Sequence, residues 1–107
     1  PQQDEETLQF IFQSKFPGMK ENALKQWIGL FLDLQLKAQN GEITTKAVDL
    51  RGILGAMKAI HRGLQPALAV KMGVVNKSFD VFEKEIVQDV VMTRIPQSWT
   101  AADVFED

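Results

Sequence analysis

Two residues near the middle of the chain have the types and spacing to bind an anion. Asp49 and Arg51 stand two positions apart at the start of Lys46-Ala47-Val48-Asp49-Leu50-Arg51-Gly52-Ile53-Leu54-Gly55-Ala56-Met57-Lys58-Ala59-Ile60-His61-Arg62-Gly63-Leu64. Asp49 has the chemistry of an N-cap, because its carboxylate accepts from the unpaired amides of a first helical turn. That assignment puts Arg51 at the second helical position, where a cation opposes the positive end of the helix dipole at roughly 0.3–1 kcal/mol. Helix stability does not call for it. A phosphate would, since first-turn amides and a guanidinium can converge on one anion. Taken by themselves, the same residues also describe a solvated arginine on a surface helix.

The helix that positions the pair carries Leu50, Ile53, Leu54, Met57, Ile60 and Leu64 at three- and four-residue steps, one apolar stripe facing a core. Arg51, Gly55, Lys58 and Arg62 fall on the opposite side. His61-Arg62-Gly63 closes the helix, with two favourable side chains at its negative end and then glycine. His61 is the one histidine of the chain and has no cysteine or carboxylate at metal-ligand spacing, so a metal site is not expected.

Composition bounds the remaining possibilities. The chain has 107 residues, enough for one domain that buries about two-thirds of the surface its unfolded form exposes. Hydrophobic residues make up 45% and charged residues 24%, which excludes a disordered chain. The net charge is −2 with the basic residues spread along the chain, so no nucleic-acid footprint is expected. The absence of cysteine fits a reducing compartment, and no apolar run reaches membrane-spanning length, so the expected setting is cytoplasmic, with no membrane partner. The first residue is not methionine, which suggests a piece of a longer protein.

Around the central helix the signals predict an all-α bundle of about five helices. Asp4 caps a first helix bearing Leu8, Ile11 and Phe12, which stops near Phe16 before Pro17-Gly18. A second, from about Lys20 to Gln39 and ended by Asn40-Gly41, carries Leu24, Trp27, Ile28, Phe31, Leu34 and Ala38 inward, with Leu30, Leu32 and Leu36 widening the stripe; Trp27 and Phe31 read as core. Glu42 to Val48 is β-prone but has no partner strand, so a loop is expected. Pro66 starts a short helix with Ala67, Leu68, Val70 and Met72, ended by Gly73. Ser78 is expected to cap a last long helix with Phe79, Phe82, Ile86 and Val90 inward, Val87 and Val91 flanking that stripe, and Asp80, Glu83, Glu85 and Asp89 on a solvated face. Residues 1–95 are expected to form the helical unit, and 96–107 a tail that either packs back on the helices or docks elsewhere, with Trp99 in a groove.

No serine–histidine–acid cluster, cysteine nucleophile or phosphate-binding Gly-x-x-x-x-Gly-Lys-Ser/Thr loop occurs, so the chain alone is not expected to be an enzyme. One resemblance gives the pattern a meaning. Phe16-Pro17-Gly18, Asn40-Gly41-Glu42, Leu50-Arg51-Gly52-Ile53-Leu54, Gly63-Leu64-Gln65-Pro66-Ala67-Leu68 and Val75-Asn76-Lys77 resemble, in order and spacing, the carboxy-terminal helical domain of the CbbQ/NirQ/NorQ/GvpN family of MoxR-type AAA+ ATPases. The likeness runs from about Leu8 to Arg94. It implies a lid in which Asp49 and Arg51 match a capping residue and the sensor-2 arginine, with Asp49 standing where the family more often has serine. By that likeness Arg51 would reach the γ-phosphate of ATP, held with Mg by a preceding core domain. The implied partners are that core, neighbouring subunits of a ring, a client protein and a companion with a von Willebrand A domain. Two other readings use the same residues: a free-standing helical adaptor that binds protein through its acidic last helix or Trp99, and a helix-turn-helix module that turns Arg51, Lys58 and Arg62 toward DNA phosphates.

Overall fold

The backbone of the computed structural model is described for residues 3–78 and 80–106. Among these residues six α-helices follow one another: α1 (Glu5–Lys15), α2 (Glu21–Gln39), α3 (Leu50–His61), α4 (Pro66–Gly73), α5 (Val81–Arg94) and α6 (Ala101–Val104). Two 3₁₀ turns, Thr45–Ala47 and Val75–Lys77, precede α3 and follow α4. Among the described residues there is no strand, only a single bridge between Met19 and Phe105, and no helix is long and apolar enough to cross a membrane.

Local chemistry accounts for most boundaries. Asp4 accepts from the Thr7 amide at 2.7 Å, and Asp49 from the Arg51 amide at 3.0 Å, so both expected caps are made. After α2 the chain turns through Gly41 at φ 77°, and after α3 through Gly63 at φ 110°, left-handed conformations that glycine adopts at little cost.

Helix α2 is the axis of the fold. It packs against α1, α5, α6 and the first 3₁₀ turn, which explains why its apolar residues occupy more than one face. Trp27, Leu30 and Leu34 are fully buried, with Leu24, Ile28 and Phe31 almost so. Leu36, expected to widen the stripe, is 54% exposed. Arg94 ties α5 to α2, its guanidinium donating to both Asp33 carboxylate oxygens at 2.8 and 3.3 Å while lying over Gly29. A Cβ at position 29 would stand 2.5 Å from that guanidinium, so glycine leaves the space it occupies.

One expectation, that for the last long helix, needs correction. Asp80, not Ser78, caps the last long helix, accepting from the Phe82 amide at 2.8 Å; buried Ser78 instead donates its hydroxyl to Glu83 at 3.2 Å. The buried residues of α5 are Val90 from the expected stripe and Val87 and Val91 from its flanks, while Phe82 is left 77% exposed; Phe79 lies outside the described residues. In α4, Leu68 and Met72 point to solvent while Pro66, Ala69 and Val70 face α3 and α5. The segment after Pro96 packs back on the bundle and supplies a sixth helix, closed by a reciprocal Thr100–Asp103 capping box. Val104 and Phe105 are buried, and Trp99 packs partly buried against the core.

Candidate functional site

Arg51 is held by a short chain of local events. The Thr45–Ala47 turn buries Ala47 and delivers the chain to Asp49 in extended conformation, with φ −116° and ψ 104°. Asp49 then caps α3, and Arg51 follows as its second residue with an exposed side chain. Among the described residues Arg51 has no ion pair. This is the arrangement expected from the sequence.

What the sequence did not reveal is the third member. Gly52 and Gly73 meet backbone to backbone where α3 crosses α4; a Cβ at Gly52 would lie 2.5 Å from the Gly73 carbonyl oxygen. This approach seats the turn after α4 beside the start of α3, and Lys77 reaches Asp49 with Nζ 3.7 Å from Oδ2. One Asp49 oxygen therefore caps the helix while the other faces a cation. The pair is exposed and adds little to stability, but it offsets the carboxylate's charge beside Arg51. The signal was legible only as the Val75-Asn76-Lys77 motif, with no indication of which residue it faced.

The other singled-out residues fall elsewhere. His61 packs edge-on against Phe105, ring centroids 4.8 Å apart, and lies 6.2 Å from Phe16; no group of acids, histidine or cysteine among the described residues is arranged to hold a metal. Glu83, expected to be solvated, accepts from the Thr44 amide at 3.1 Å and from the Thr44 and Ser78 hydroxyls at 3.2 Å, pinning the loop before α3 onto α5. Trp27 is core, and its indole N–H has no partner among the described residues.

Titration follows the same local logic. Hydrogen bonds from Thr7 hold Asp4 below the ordinary carboxylate value of 3.8, and those from the Thr100 amide and hydroxyl do the same for Asp103. The hydrogen bond to Asp33 raises Arg94 further into its charged range.

Along the outer side of α3 lies a groove of about 680 Å³. Gly55, Lys58, His61 and Arg62 line one wall, and Lys15, Phe16 and Phe105 complete it. Comparison of the chain with protein-family models, with curated proteins and with solved structures yields no match.

Proposed function

We propose that this chain is the helical lid of a MoxR-type AAA+ ATPase, and that Arg51 couples it to the phosphates of ATP bound by a separate core domain. One observation supports the reading above others. Arg51 is exposed at the second position of α3 with no ion pair among the described residues, while the neighbouring Asp49 charge is met by Lys77. A guanidinium so placed, next to the positive end of a helix, is suited to an oxyanion that arrives from outside the domain. Loss of the γ-phosphate would remove that contact and release the lid, which is how hydrolysis in the core would move a client or a neighbouring subunit. A companion with a von Willebrand A domain, Mg held by the core and a cytoplasmic setting belong to the same proposal.

The test has two stages. An antibody against this domain should detect a native polypeptide longer by on the order of 100–200 residues, the size of one further domain. In that protein Arg51→Ala should slow ATP turnover by about 10–100-fold, the equivalent of losing one charged hydrogen bond of about 1.5–3 kcal/mol. Arg51→Lys should recover part of the rate, and the melting temperature of the domain should stay unchanged. Unchanged turnover, or a native chain no longer than this one, would remove Arg51 from nucleotide chemistry.

The adaptor reading keeps one specific support. Phe10 and Phe82 are 72% and 77% exposed, and aromatic side chains are frequent anchors of protein interfaces. A Phe10→Ser or Phe82→Ser variant that loses a captured partner while Arg51→Ala retains it would favour the adaptor.

A further inference from the structure

The groove beside α3 is the strongest remaining feature, and its residues take no part in the phosphate contact assigned to Arg51. Its floor is apolar, made by Phe16, Leu54 and Phe105. Its rim is cationic: Lys15, Lys58 and Arg62 are exposed, none has an ion pair among the described residues, and no aspartate or glutamate lines the groove. Helix chemistry explains part of this, because Lys15 ends α1 and Lys58 stands in the last turn of α3, with Arg62 as its C-cap. Each helix C-terminus carries about half a negative charge, so the two together offset only about one of the three formal charges. A net positive rim remains on a protein whose overall charge is −2.

We infer that this groove binds an acidic peptide segment that rests one apolar side chain on the floor of Phe16, Leu54 and Phe105 while its carboxylates pair with Lys15, Lys58 and Arg62. Three features favour a peptide over nucleic acid: the apolar floor, the small number of cations, and the negative charge of the rest of the surface, which repels a phosphate backbone. The volume of about 680 Å³ accommodates a few residues rather than a folded domain. Gly55 lines the groove, and a Cβ there would meet no atom within 4 Å, so a larger side chain at this position can occupy groove space without a clash at its Cβ.

The test measures fluorescence anisotropy with the whole 107-residue chain. The probe is a short labelled peptide in which aspartates and glutamates flank one phenylalanine. Controls replace its acids by lysine or its phenylalanine by serine, and a single-stranded oligonucleotide competes. Saturable binding of the acidic phenylalanine peptide is expected, with amide shifts at Gly18, Gly55 and His61. Affinity should fall at least about tenfold in Lys58→Gln/Arg62→Gln and in Gly55→Leu, both of which should melt no lower than the parent chain. Absence of binding, binding that survives these changes, or equal binding of the lysine control would overturn the inference. So would an oligonucleotide that binds more tightly than the peptide. The outcome is independent of ATP turnover, so it stands or falls separately from the role of Arg51.

Discussion

The contact between Gly52 and Gly73 allows a prediction in which one substitution has opposite effects one turn apart. In Gly52→Ala the new methyl would stand 2.5 Å from the Gly73 carbonyl oxygen, about 0.9 Å inside the nearest ordinary contact at 3.4 Å. The obstacle is backbone, not the end of a flexible side chain, so α3 and α4 have to part along a packed seam. Forced overpacking of this kind costs about 1–3 kcal/mol. Gly55→Ala, in the same helix, places its methyl where nothing lies within 4 Å. Both changes gain helix propensity of up to about 1 kcal/mol, and that gain cancels to first order when the variants are compared. Their difference then isolates the steric term. At about 4 °C per kcal/mol for a domain of this size, Gly55→Ala should melt about 4–12 °C above Gly52→Ala, with the parent chain between them. Thermal and urea unfolding followed by far-ultraviolet circular dichroism measures this directly. A Gly52→Ala variant that melts at or above Gly55→Ala would refute the close seam, and with it the placement of Lys77 beside Asp49.

Further outcomes follow from the same packing. Asp49→Ala should lower stability by about 1 kcal/mol through loss of the cap, and Asp49→Asn by much less, because the amide oxygen still accepts; equal losses in urea titrations would mean that the charge, not the cap, is what α3 needs. Trp27→Ala should cost about 3–5 kcal/mol. Trp27→Phe should cost under about 1 kcal/mol, since removing an unpaired buried donor offsets much of the lost volume. A Phe variant as unstable as the Ala variant would show that the indole N–H has a partner. Carboxyl resonances should show Asp4 and Asp103 titrating below 3.8. Because their folded values are depressed, the stability these caps contribute is present above the ordinary carboxylate value and is lost as pH falls through the lowered one. Titration of either at or above 3.8 would contradict the cap geometry.

The sequence by itself determined the helical class, the ends of α1 and α2, and the presentation of Arg51. Those features depend on interactions within a few residues: the Asp4 and Asp49 caps, the stop at Pro17, and glycine at positions 41 and 63 that tolerates a left-handed turn. Tertiary structure decided the rest. Ser78 and Asp80 both have capping chemistry, and the choice went to Asp80 because Glu83, engaged with Thr44, draws the Ser78 hydroxyl away. Periodicity put Phe82 on an apolar stripe, yet it is left 77% exposed, because a stripe is buried only where another element covers it. The pairing of Asp49 with Lys77 joins residues 28 positions apart in the chain, and the cationic groove joins residues as distant as Lys15 and Phe105. No local pattern encodes such pairings, because the spacing that creates them is the distance between packed helices.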